Sequence, residues 1–384
     1  MYEFLSKNIK PDLSGICAYL KAIVVPRAPE DFVFAEKFTL GLRHTELIKA
    51  IDSFRSFLLF LYDSIAADKE RFTTPKSSGY AAEAHIGAYY PVIGELATLL
   101  FSIGNFGRLS VSPQASLTVE PKDLRRADTG AAKIKEARRL ELMGFLAGTG
   151  FSFEREGGAD SDDPLKTALS EKSALKIRYR RDESVIVGLK LMALSQSNIR
   201  DKPREYERAF MRCDFYPLLS PKPSPQTITV GDFAGTLQKD AAKWLLKLDG
   251  RLTDRGCRLE TNLNRQRGSC SFDYVLKKKK QRIFRAQIGI SGLVVRMLLA
   301  EMADLPRVVA GLPDDLREEY VLNETRGCGF CKSPACAHSV EINEGGTARY
   351  ICAHQGYVRL NPDEASQDLI ERLIEFRMEY AEGL

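Results

Sequence analysis

Cys328-Gly329-Phe330-Cys331, then Cys336, then Cys352, with His338 and His354 two residues behind the last two cysteines, is the stretch from which the C-terminal half is read. Four of the eight cysteines and two of the four histidines fall within these 27 of 384 residues. Zinc takes four ligands at tetrahedral angles, and two cysteines separated by two residues wrap one edge of that tetrahedron through a tight turn. Gly329 supplies the backbone freedom such a turn uses. Between Cys336 and Cys352, the alternating runs 339–342 and 347–351 flank Asn343-Glu344-Gly345-Gly346, which is a hairpin signal. With Ile342 facing Thr347, Cys336 and Cys352 come nearly opposite each other at the open end, beside the Cys328–Cys331 turn. Four thiolates then close the coordination sphere and leave no position for water, so the expected zinc is structural. His338 or His354 can replace a cysteine, since each lies two residues on and shares its strand face.

The pattern resembles a zinc ribbon over about 25 residues, although the second half lacks that family's repeated Cys-x-x-Cys, and the resemblance implies no function. Other readings stand beside it. A disulfide pair needs an oxidising compartment, and no secretory layout precedes the chain. Thiol-redox chemistry at Cys328 and Cys331, with Cys336 or Cys352 resolving, is the alternative enzymatic reading. A redox Cys-x-x-Cys normally opens a helix, however, whereas this one precedes a hairpin. Four unrelated buried cysteines is the third reading.

Upstream of the cysteines the charge is segregated. Residues 251–300 hold twelve Lys and Arg against three Asp and Glu, whereas 301–384 hold eight against sixteen. Lys277, Lys278, Lys279, Lys280 and Arg282 fall at one expected hairpin tip between strands Ser269–Leu276 and Arg282–Ile288, with Leu293–Leu299 as a third strand. Such a tip can neutralise phosphates, and Tyr274 and Phe284 on the flanking strands could stack on unpaired bases. An acidic protein is the other partner this charge fits. The bland account is that the lysines solvate a turn, or that the basic sheet and acidic C-terminus face each other within one fold.

Ser220-Pro-Lys-Pro-Ser-Pro-Gln226 marks the expected boundary, because three prolines at alternate positions favour an extended spacer. It divides a domain over 1–220 from one over 226–384, with 221–225 as linker. In the second domain Asp232 is expected to cap a helix whose apolar stripe includes Phe233 and Trp244. A short helix covers Pro313–Tyr320, and the last helix opens at Asn361-Pro362-Asp363-Glu364 with Asn361 as cap. In the first domain, helices are expected over Glu46–Ile65, Val92–Ile103 and Ala131–Leu146. Alternation predicts a hairpin of Ala174–Arg180 and Val185–Met192. His44 and His85 are structural on this reading. Ser173-x-x-Lys176 and Gly289-Ile-Ser291-Gly292 lack the motifs that would make them catalytic.

The fold class is therefore α+β, two domains of helices plus a small antiparallel sheet, the second carrying a zinc-ribbon-like hairpin. The longest uncharged, largely apolar run, Leu96–Gly107, has 12 residues, too short to span a bilayer. A cytoplasmic protein without membrane association is expected, a binding or scaffolding module, with a thiol-redox enzyme using Cys328 and Cys331 as the alternative. No dinucleotide, phosphate-loop, kinase or metalloprotease signature is present.

Overall fold

The computed structural model describes residues 13–24, 33–72, 91–155, 174–199, 209–220, 228–264, 269–289, 292–301, 303–321, 339–344, 346–352 and 356–383. Helices α1 (Leu13–Ala22), α2 (His44–Ala67), α3 (Pro91–Phe106), α4 (Glu136–Thr149), α5 (Ser184–Ser197) and α6 (Ala209–Arg212) alternate with short strands. These are β1 (Val33–Phe34), β2 (Arg108–Ser110), β3 (Ser116–Val119), β4 (Phe151–Arg155), β5 (Leu175–Tyr179) and β6 (Leu219–Ser220). Then follow α7 (Val230–Ala234), α8 (Lys239–Asp254), β7 (Cys257–Asn264), β8 (Ser269–Leu276), β9 (Gln281–Gly289) and β10 (Gly292–Met297). The chain continues with α9 (Leu305–Ala310), α10 (Asp314–Val321), β11 (Ser339–Glu344), β12 (Thr347–Cys352), β13 (Tyr357–Leu360) and α11 (Glu364–Glu382). Every strand pair is antiparallel, so the chain is of mixed α and β type.

The chain divides into two compact units. One takes the described residues within Ile23–Lys76 and Gly87–Gln226. Its four-stranded sheet runs in the order β2-β3-β5-β4. The run Val185–Met192, expected as a returning strand, is part of helix α5. Apart from Lys190, which donates to the Asn105 and Gly107 carbonyls, the run is apolar and buried, and such a run has no period to distinguish helix from strand. Gly188 gives the better clue. A Cβ there would stand 2.3 Å from the Ala50 carbonyl oxygen and 2.5 Å from the Phe54 Cβ, so only glycine lets α5 lie against α2. Gly104 does the same between α3 and α5, with the Leu189 carbonyl oxygen at 2.7 Å. Asp182 does not make the expected turn into a strand. Its carboxylate accepts from the Ser184 N–H at the start of α5 and from the Ser53 hydroxyl at 2.6 Å, tying α5 to α2. The helix expected over Ala131–Leu146 starts later, at Glu136, after a 3-10 turn over Ala131–Lys133.

The other unit takes the described residues within Met1–Ala22 and Thr227–Leu384, so α1 groups here and not with the residues that follow it in sequence. The Pro-rich residues 221–225 lie outside the described residues. The sheet runs β13-β10-β9-β8-β7, with β8 at the expected bounds and β7 an edge strand that alternation had not marked. Helices α8 and α11 lie on its apolar face, whose strands contribute Phe272, Tyr274, Phe284, Ala286, Ile288 and Val295. From the helices come Trp244, Leu245, Leu248, Ile370, Leu373 and Ile374, all buried. Burying each such side chain stabilises the fold by about 1.5–3 kcal/mol. Two expected caps are corrected. Thr229 caps α7, its N–H and hydroxyl donating to the Asp232 carboxylate, and the helix breaks before α8 begins at Lys239. Asp363, not Asn361, caps α11 by accepting from the Ser366 N–H at 2.9 Å. The Asn361 side chain instead accepts from the Leu293 N–H, which holds β10 to the chain leaving β13.

Candidate metal centre and basic hairpin

Of the expected zinc ligands, Cys328, Cys331, Cys336, His338 and His354 lie outside the described residues, and Cys352 is described as the last residue of β12. Among the described residues no group of three or more metal-ligating side chains is found. The hairpin itself is present, with a different register. Glu344 faces Thr347 and Ile342 faces Arg349, so two residues and not four separate the paired ends of the hairpin. Gly346 at φ 85° supplies the left-handed backbone that such a loop needs, and the Asn343 side chain accepts its N–H at 3.1 Å. The register differs from expectation by two residues, an even number, so each side chain keeps its face. Cys352 remains at the open end, opposite Ser339. Ile342 and Ile351 are buried, and β11 lies against α9.

The chain enters the cysteine stretch from α10 and leaves it into β13, and the two stems are tied together. The Tyr357 hydroxyl donates to Glu319 Oε1 at 2.6 Å in a buried site. The rings of Tyr320 and Tyr357 stack with centroids 6.1 Å apart, and Arg359 Nη1 lies 3.5 Å from the same Glu319 oxygen. Burial and then the Glu319 carboxylate push the Tyr357 hydroxyl far above its ordinary pKa. Gly356, at φ 55°, passes so close to β10 that a Cβ would stand 2.1 Å from the Met297 carbonyl oxygen. Cys17, Cys213, Cys257 and Cys270 are buried. Burial pushes the Cys270 thiol up to about 12 and those of Cys213 and Cys257 above their usual range, so these three are not nucleophiles at neutral pH.

Lys277–Lys280 form the turn between β8 and β9 as expected, with Leu276 facing Gln281. All four lysines are exposed, and among the described residues none pairs with a carboxylate. Lys280 adopts φ 55° and its N–H closes the turn onto the Leu276 carbonyl at 2.8 Å. The two rings on the flanking strands are placed otherwise than expected. Tyr274 and Phe284 face each other across the ladder and are wholly buried, ring centroids 5.8 Å apart. The Tyr274 hydroxyl donates to Asp249 Oδ1 of α8 at 2.8 Å, which fixes the ring in the core and removes it as a stacking surface. Arg282 turns along the sheet toward Asp273 at 3.7 Å, and Arg285 makes the closer, two-pronged contact with Asp273 at 2.6 and 2.7 Å.

Much of the remaining charge segregation is internal. Arg251 and Arg255 of α8 pair with Glu371 and Glu375 of α11, and Trp244 Nε1 donates to Glu371 at 2.8 Å. Arg372 pairs with Asp315 of α10. Arg377, only 4% exposed, donates to the carbonyls of Leu299 and Arg282. Arg251 and Arg255 of the basic block thus face the acidic last helix within one unit, and the lysine turn is left to solvent. His44 is exposed and touches the Phe34 ring edge-on; His85 and Ser173 lie outside the described residues.

No helix among the described residues is long and apolar enough to cross a membrane. No family model matches the chain, and neither a curated protein nor a solved structure is significantly similar to it.

Proposed function

We propose that this is a two-domain cytoplasmic binding or scaffolding module. A structural zinc held by Cys328, Cys331, Cys336 and Cys352 steadies its C-terminal hairpin, and its lysine turn engages nucleic acid. The observation that carries the binding half is the turn itself: four exposed lysines without a described carboxylate partner, on a unit whose Arg251, Arg255 and Arg285 are each paired with a carboxylate. A projecting cluster of ammonium groups is suited to phosphates, and releasing their counterions is the driving term. The zinc half rests on the ligand spacing and on Cys352 closing a two-stranded hairpin at its open end.

Binding of a mixed-sequence DNA to the full chain should fall steeply as salt rises, and Lys278→Glu with Lys279→Glu and Lys280→Glu should abolish it while the thermal melt is unchanged. Binding that survives the triple change would place the surface elsewhere. Elemental analysis of protein purified under reducing conditions and dialysed exhaustively should give about one zinc per chain. Metal content near zero, with Cys328 and Cys331 alkylated rapidly at neutral pH, would favour the thiol-redox alternative.

A further inference from the structure

Strand β7 is the edge of the five-stranded sheet, and its exposed residues Arg258, Glu260 and Asn262 alternate along one face, opposite the face on which α8 lies. The ladder registers continue that face across the sheet. Glu260 is level with Asp273 and Arg285, Asn262 with Ser271 and Gln287, and Arg258 with Val275 and Arg282; the middle row of Ser271, Asp273 and Val275 is itself buried, so the outer rows on β7 and β9 form the accessible part. Each carboxylate on this face is engaged by a guanidinium. Arg258 lies 2.5 Å from Glu260, while Arg285 and Arg282 share Asp273. Together with the lysine turn, which joins β8 to β9 at one end of the same face, the surface sets seven cations against two carboxylates. None of the nine positions on these three rows is aromatic.

We propose that duplex nucleic acid lies across this outer face of β7, β8 and β9, its phosphates reading Arg258, Arg282 and the lysine turn. The inference rests on the nucleic-acid reading above and gives it a form. Unpaired bases are held by stacking on rings, and the two rings expected to do so are buried on the far side of the sheet. A surface of guanidinium, ammonium and amide groups contacts backbone and not base faces, and it is favoured by the denser phosphate array of a duplex. The complex is consequently tighter with a duplex than with either of its strands, and indifferent to sequence.

Fluorescence anisotropy on the full chain, with a labelled mixed-sequence DNA duplex and each separate strand as probes, tests this. Arg258→Gln with Arg282→Gln should weaken duplex binding on the order of tenfold at low salt and lower the log–log salt slope by about 1.8, for two phosphate contacts at about 0.9 each. Asn262→Glu, which adds a charge without removing a pair, should weaken binding several-fold and serves if the double variant fails to fold. If the triple lysine variant loses binding while both face variants bind like the unaltered chain, the face is excluded and the hairpin reading survives. A single strand bound more tightly than the duplex overturns the backbone-reading surface. No binding of any DNA at low salt removes both readings, and retention of poly-glutamate by the same lysines in its place assigns the surface to an acidic protein.

Discussion

Removing the first helix should unfold the unit to which the last 158 residues belong. Helix α1 buries Leu13, Ile16, Cys17, Tyr19 and Leu20, and the Tyr19 ring stands 6.3 Å from Phe233 of α7. At about 1.5–3 kcal/mol for each of the four large side chains, the helix contributes roughly 6–12 kcal/mol as an upper bound. A domain is stable by only about 5–15 kcal/mol in all. A fragment cut at the proline-rich boundary, residues 227–384, should therefore melt without a cooperative transition, even though its sheet, α8 and α11 are complete. A synthetic peptide of residues 11–24 supplied in excess should restore the transition, with a midpoint that rises with peptide concentration. In the full chain, Tyr19→Ala should cost about 3–5 kcal/mol by the cavity it leaves, a drop on the order of 10 °C in midpoint for a unit of this size. Scanning calorimetry and near-ultraviolet circular dichroism read both effects. A 227–384 fragment that melts cooperatively at one temperature with and without the peptide would refute the grouping of α1 with this unit.

Other expectations concern the same unit. Gly356→Ala should destabilise it by at least about 3 kcal/mol, since the new methyl meets the Met297 carbonyl at a left-handed backbone position, and Gly311→Ala, with only ordinary contacts, serves as the control in a denaturant titration. Stability should fall at high pH. Burial, with Asp249 beside Tyr274 and Glu319 beside Tyr357, raises both hydroxyls above the unfolded value of about 10, so the folded state holds protons that the unfolded state releases. The contribution is complete below about pH 10 and is lost above it; Tyr274→Phe and Tyr357→Phe should each flatten the urea midpoint between neutral pH and about pH 11. Chelator or Cys331→Ser should lower the midpoint of this unit by several kcal/mol equivalents if zinc is structural there, whereas unchanged melting would show the cysteines to be dispensable for folding.

Legibility of the fold followed how one-sided each element is. β8, the lysine turn and α10 were readable almost to the residue because each carries a polar boundary or an alternating face. Helix α5 was misread because Lys190 alone interrupts the apolar run Val185–Met192, and Gly188, whose reason lies in a helix 134 positions earlier, distinguished it. The exposed half of β7 was passed over because Arg258, Glu260 and Asn262 carry no apolar signal. The hairpin register was set by the two glycines and not by the wider polar stretch around them. Of the candidate sites, the exposed lysines were evident from their run of charge, but the fate of Tyr274 and Phe284 was not. An aromatic residue on a strand has two faces to choose from, and Asp249 of a neighbouring helix decides the matter. The grouping of α1 left no local trace, because its partners lie more than 200 positions away.

That separation also orders events on the ribosome. Helix α1 emerges first, while α7 and the sheet follow after some 205 further residues. At about 5–20 residues per second, the apolar side of α1 waits on the order of 10–40 s for the elements that cover it, while the whole of the intervening unit is made and can fold. A nascent chain paused within that interval would carry Ile16, Tyr19 and Leu20 uncovered, an apolar surface open to a chaperone until α7 and the sheet are made.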